Sequence, residues 1–338
     1  MTRRRDTFRA IPAAMLLAAG CAPATRRLAA GGEEGGIGGT GISPAGNSPA
    51  GNSPTGIFGT VTALGSLYVN GLRVETPRDT VMDTTDAQPV LPGDTVAVEA
   101  TREGDRFLAR RVTAFHPLIG PVEPLRDGRL AILGTPVVLG PTLPVRAADG
   151  GFGSVGTLRP GQPVAVSGLW RGDAVVATAL RPVGAAAGTV LRGQLRRDGF
   201  AWRVGATRLR FRSLPFDLPE EAFVTVRGRP EAGGLAVESL EEQPLAVFAG
   251  RIAALSVEGF GARNRGAPGF HLAGFGLPLD PESPAMPAPG ERRLFLGRYG
   301  TSFRVAEGLA LPPDPDRRAA LLEGAEGASA IRRWLART

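Results

Sequence analysis

Few side chains in this sequence are equipped for chemistry, and their spacing does not gather them. Cys21, in "MLLAAGCAP" (residues 15–23), is the only thiol among 338 residues. A lone thiol suits covalent attachment and excludes an internal disulfide. His116 and His271 stand 155 residues apart, with no H-x-x-x-H pattern or cysteine pair to complete a zinc site. Both read as ordinary surface or turn residues. Asp79, Asp83, Asp86 and Asp94 share one long loop, but their spacing matches no calcium loop. "GGIGGTG" (35–41) carries no lysine and precedes no helix, so it lacks the parts of a phosphate cradle. Ser154, in "GFGSVG", is not placed as a G-x-S-x-G nucleophile, and no carboxylate pair stands out. The expectation is a non-enzymatic chain with no metal and no cofactor.

The densest binding pattern is "ATRLRFRSL" (206–214). On a strand, Arg208, Arg210 and Arg212 share one face while Leu209 and Phe211 take the other. Trp202 and Arg203 lie just upstream, with Arg196 and Arg197 nearby. Guanidinium groups beside an aromatic ring can grip a phosphate or a sugar acid. The expected ligand site is therefore Trp202, Arg203, Arg208, Arg210 and Arg212. The same residues equally suit a solvated strand face in a chain whose 39 basic residues are all arginine.

The elements around these residues begin with a basic start, Arg3, Arg4, Arg5 and Arg9, followed by an apolar run from Ile11 to Gly20. That is the pattern of a secretory signal, and the run is too short to span a membrane. Cys21 directly after Ala-Ala-Gly resembles the lipobox of bacterial lipoproteins. Ala18 stands where that family more often has leucine, and Leu17 lies one place further out. The resemblance implies a signal peptide over 1–20, acylation of Cys21, and a membrane partner held through the lipid. Ala22, in place of the aspartate that retains such proteins in the inner membrane, points to the outer membrane, facing the periplasm. Losing the signal removes four arginines and Asp6, leaving 35 basic against 31 acidic residues, a net charge of +4. That is mild, and no nucleic acid is expected as a partner.

Residues 21–56 are dominated by Gly, Ser, Pro, Ala and Asn, with "SPAGN" twice. Such a segment cannot bury enough apolar surface to offset its ordering entropy, so a disordered tether is predicted. After Phe58, alternating apolar runs separated by turn residues argue β structure. Four units open at Gly59, Gly120, Gly188 and Gly250 and set the boundaries 57–118, 119–185, 186–248 and 249–312. Each holds a pair two residues apart: Val96/Val98, Val164/Val166, Val224/Val226 and Leu294/Leu296. A glycine turn and a second apolar strand follow, which makes a hairpin. "SLYVNGLRVET" adds another, with Asn70-Gly71 as a type I′ turn setting Leu67 and Val69 against Leu72 and Val74. The predicted class is all-β, with units the size of small closed barrels, which leave no exposed sheet edge.

"GGIGGTG", then "GTVTALGSLYVNGLRVET" and "PGDTVAVEATREGDRFLARRV", resemble the domain-of-unknown-function 5666 lipoproteins. The likeness is clearest over 35–115, fair over 120–184 and weak beyond. It implies tandem OB-like β-barrels and carries no known catalytic residue. The tail, 313–338, is predicted as one C-terminal α-helix capped by Asp314 with Pro315 at its first position. Leu321, Ala325, Ala328, Ile331 and Leu335 form its apolar face, which docks on a barrel; Arg332, Arg333 and Trp334 offer a partner surface instead. Together these features suggest a membrane-anchored periplasmic lipoprotein acting as a binding module for an unknown envelope ligand. An anionic glycan, lipopolysaccharide or an envelope protein all fit. The serial units equally suit a structural or assembly subunit of a cell-envelope complex.

Overall fold

In the first unit the apolar alternation closes a five-strand circuit. The computed structural model describes residues 54–338, except 85–87, 105, 125–128, 141–142, 147–150, 214–217, 219, 243–247, 249–251, 265–267 and 301. The predicted signal peptide, Cys21 and nearly all of the tether lie outside the described residues.

The first unit comprises β1 (Pro54–Ala63), β2 (Leu67–Val69), β3 (Leu72–Glu75), β4 (Val81–Asp83), β5 (Thr95–Glu103) and β6 (Arg106–Ala114). Antiparallel pairing joins β1 to β2 and β5, β2 to β3, and β5 to β6, while β3 runs parallel to β6. The order 1-2-3-6-5-1 therefore returns to its start. Asn70 and Gly71 both take positive φ, 56° and 75°, as a type I′ turn requires. Leu67 faces Val74 and Val69 faces Leu72, all four buried.

The same circuit recurs three times. The second uses β7 (Leu118–Pro121), β8 (Leu130–Ile132), β9 (Thr135–Val138), β10 (Val145–Arg146), β11 (Phe152–Gly153), β12 (Pro163–Arg171) and β13 (Ala174–Pro182). A Val122–Ile132 bridge closes it. The third uses β14 (Val190–Asp198), β15 (Ala201–Val204), β16 (Thr207–Arg210), β17 (Phe223–Glu231) and β18 (Gly234–Glu242). The fourth uses β19 (Ala254–Arg263), β20 (Phe270–Leu272), β21 (Leu277–Pro278), β22 (Arg292–Tyr299) and β23 (Phe303–Ala310), closed by a Leu279–Phe303 bridge. In each circuit the first strand pairs with the second and the fourth, and the third runs parallel to the fifth. The class is all-β, built of small OB-like barrels.

The barrels join out of chain order. The start of β1 runs parallel to β19, from Thr55 opposite Ala254 to Phe58 opposite Val257. The start of β14 runs antiparallel to β7, with Val190 opposite Ile119 and Leu191 opposite Leu118. First and fourth barrels thus share one sheet, second and third another. This pairing corrects the predicted end of the tether. Residues 54–56 belong to β1, because β5 and β19 take up their backbone groups on both sides. Phe58, Phe115, Phe223 and Phe275, from three barrels, meet in one cluster with ring centroids 4.7–6.2 Å apart.

The tail forms two helices, α1 (Pro315–Glu323) and α2 (Ala325–Leu335), where one was predicted. The Asp314 carboxylate accepts from the Arg317 amide at 2.9 Å, as an N-cap should. Gly324 leaves the helical region at ψ 178° and resets the phase. The buried face is consequently Arg318, Leu322, Gly327, Ala330, Ile331 and Trp334, whereas Ala325 is exposed. Trp334 is 0% exposed and its Nε1 donates to the Gly297 carbonyl at 3.0 Å, so it belongs to the core and offers no partner surface. The tail does dock: Leu322, Ile331 and Trp334 pack among residues of the first and fourth barrels. Among the described residues no helix is long and apolar enough to cross a membrane.

Candidate functional site

Strand parity decides how the expected ligand residues are arranged. In the third barrel Arg196 lies opposite Arg203, and Arg203 opposite Arg208. Three guanidinium-bearing residues thus stand abreast on neighbouring strands, roughly 4.8 Å apart by ordinary sheet spacing. Arg210 follows two residues along β16, on the same face as Arg208. Like charges directly opposite one another destabilise a sheet unless something neutralises them. Asp173 pairs with Arg196 at 3.3 Å, Asp198 with Arg203 at 3.3 Å, and Glu231 with Arg210 at 2.9 Å. These pairs are at the surface, where each contributes about 0–1 kcal/mol. Arg208 is exposed and has no carboxylate at ion-pairing distance among the described residues.

The structure separates the rest of the expected site from this row. Trp202 is buried on the inner face of the barrel, opposite Leu209. The Arg197 guanidinium lies 5.9 Å from its ring centre. Arg212 lies past the end of β16, exposed. Phe200 is fully exposed at the turn between β14 and β15, two residue pairs beyond the Arg196–Arg203 pair.

Neither histidine resembles a metal ligand, and no cluster of three or more metal-ligating side chains occurs among the described residues. His271 Nδ1 lies 2.8 Å from Asn264 Oδ1. His116 corrects the surface expectation. It is 3% exposed, because the packing of β12 against the segment between β6 and β7 encloses it. Burial, reinforced by the Arg192 and Arg181 charges, pushes its pKa down to about 3. Its Nδ1 lies 3.3 Å from Ser167 Oγ, which in turn lies 3.5 Å from Asp94 Oδ1. Serine, histidine and aspartate meet here, but the carboxylate touches the hydroxyl rather than orienting the imidazole. All three are buried.

Asp94 is the hub of this network. It accepts from the Leu91 amide at 2.8 Å and from Arg181 at 2.7 Å, joining the first barrel to the second. Burial raises its pKa against the opposing pull of Arg181. A second buried cluster joins the first barrel, the fourth and α1. Glu258 accepts from the Thr60 amide at 2.8 Å and from Arg292 Nε at 2.8 Å, with Arg318 Nε 3.4 Å away. Burial alone would raise the Glu258 pKa; Arg292, Arg318 and Thr60 together hold it below the ordinary value. Neither cluster forms a motif in the sequence. Their signal was a charged residue at the inward parity of an alternating strand, as Arg292 shares a face with Leu294 and Leu296.

Residues 58–113, which run from β1 through most of β6, match a family described as a domain of unknown function (DUF5666). No curated protein matches the chain. No solved structure matches it either. The arginine row and both histidines lie outside the matched residues.

Proposed function

We propose that the chain is a membrane-anchored periplasmic lipoprotein that serves as a non-enzymatic binding module for an anionic envelope polymer. The row Arg196–Arg203–Arg208 carries this reading. Guanidinium groups repeated at strand spacing suit phosphates or sugar carboxylates repeated along a chain, and planar, bidentate recognition favours arginine over lysine. Phe200, exposed at the tip of the same hairpin, adds an apolar contact of the kind an amphipathic polymer such as lipopolysaccharide can use. Anchorage rests on the context of Cys21, and the mass of the mature N-terminus tests it: an acylated Cys21 is expected, and a start elsewhere removes that part.

The binding test is titration calorimetry with lipopolysaccharide and with a neutral glucan. Wild type should bind the first and ignore the second, with affinity falling as salt is added. Arg203→Glu/Arg208→Glu should weaken binding at least about tenfold while the melting temperature stays within a few degrees. Undiminished binding by that variant refutes the assignment of the row. A protein partner that co-purifies from the envelope while lipopolysaccharide is ignored would favour the assembly-subunit reading.

A further inference from the structure

Away from the arginine row, a cleft of about 820 Å³ opens where the first, second and fourth barrels meet the start of α1. Its size falls within the range of roughly 300–1,000 Å³ typical of small-molecule sites. Val61, Leu139, Leu143, Val176 and Leu311 give it aliphatic walls, widened by prolines of the connecting segments. Phe260 is the only aromatic side chain lining it among the described residues, and the Arg171 guanidinium lies 5.8 Å from that ring's centre. That ring is buried, so it offers a flat aromatic ligand little to stack on. An alkyl chain would find walls of its own kind.

The charges lining the cleft favour an anion. Arg146, Arg171, Arg292 and Arg318 contribute to its surface, against Glu291 and Asp316. Glu291 is paired to Arg293 at 2.7 Å, and Asp316 sits in the first turn of α1, where helix amides already attract it. Behind the wall, buried Glu258 serves both Arg292 and Arg318. Arg171 is exposed and has no carboxylate at ion-pairing distance among the described residues. It is the cation best placed to meet an incoming head group.

We propose that this cleft binds a single-chain amphiphile bearing a carboxylate, with the alkyl chain along the aliphatic walls and the carboxylate on Arg171. The site is separate from the arginine row, so either can fail without the other. The probe is dodecanoate, titrated by calorimetry below its micelle concentration into the whole chain, with dodecanol as the uncharged comparison. Wild type should bind one dodecanoate, and dodecanol at least about tenfold more weakly. Arg171→Ala should weaken dodecanoate by a similar factor and leave dodecanol unchanged. Val176→Trp, which fills the cleft, should abolish both, and Arg208→Glu should alter neither. Leu139→Trp is the second filling variant if Val176→Trp does not give the wild-type circular dichroism spectrum. No binding of dodecanoate to wild type overturns the proposal. So does equal affinity for dodecanoate and dodecanol, or wild-type binding by Arg171→Ala or by a folded filling variant.

Discussion

Trp170, at the end of β12, is the point where three barrels can be tested against one another. Its indole is buried, and Nε1 donates to the Arg192 carbonyl at 2.9 Å. A Cβ on Gly274 of the fourth barrel would lie 2.2 Å from the indole, as would one on Gly205 of the third. Gly274 also holds φ at +79°. Gly274→Ala should therefore cost about 1–2 kcal/mol for the left-handed backbone and about 1–3 kcal/mol for overpacking, roughly 2–5 kcal/mol in all. Trp170→Ala alone should cost about 3–5 kcal/mol. In the double variant the ring is gone but the Cβ of residue 170, which also crowds the new methyl group, stays, so the backbone cost and part of the overpacking cost of Gly274→Ala remain. The two effects should fall short of additivity by about 1–2 kcal/mol, the ring's share of the overpacking. Urea denaturation followed by far-ultraviolet circular dichroism reads this without relying on the tryptophan signal. Additivity to within about 0.5 kcal/mol would show that the indole and Gly274 do not press on each other, and the packing argument would fall.

Two further outcomes follow from the buried charges. His116, at a folded pKa of about 3 against an ordinary 6.5, stays neutral in the fold, while the unfolded chain takes up a proton below 6.5. Stability from this residue is complete above 6.5 and is lost as the pH falls towards 3, by about 2–3 kcal/mol at pH 4.5. Melting temperatures at pH 7.5 and 4.5 should drop less for His116→Gln than for wild type; equal drops would contradict the burial of the imidazole. Glu258→Gln leaves Arg292 and Arg318 buried without their carboxylate and should destabilise by about 3–5 kcal/mol. A thermal unfolding midpoint unchanged by this substitution would mean that Glu258 does not neutralise them.

Local rules proved readable in the sequence where neighbouring residues satisfy one another. Asn70-Gly71 specifies its turn by backbone conformation alone, and Val96/Val98 declare an inward face by parity. The same parity already separates Trp202 from Arg203, since adjacent strand residues point to opposite faces; the expected site combined residues that one sheet cannot present together. Arg208 and Arg210 do share a face, whereas the strand ends before Arg212. Features set by distant partners were not readable. Pro54, Thr55 and Gly56 have the composition of a tether, and only β5 and β19 make them a strand. His116 has no periodic apolar neighbourhood, and what covers it comes from the second barrel. In the tail, a helical wheel runs straight through Gly324, so the expected apolar face shares only Ile331 with the buried one.

The parallel ladder between β1 and β19 bears on the order in which the molecule can assemble. A chain emerging N-terminus first would present the opening barrel long before its sheet neighbour exists. The two middle barrels, whose strands meet at Leu118–Ile119 and Val190–Leu191, can pair within a short stretch of sequence. The opening barrel must wait for the last one, and for the tail whose Leu335 carbonyl accepts from Arg102 at 2.9 Å. Contacts between residues as far apart in sequence as 198 and 233 positions make for slow completion. Until then the side of β1 that faces β19 is an open edge, with β5 alone holding the other side. A stop codon ahead of β19 would thus leave its worst damage at the opposite end of the polypeptide.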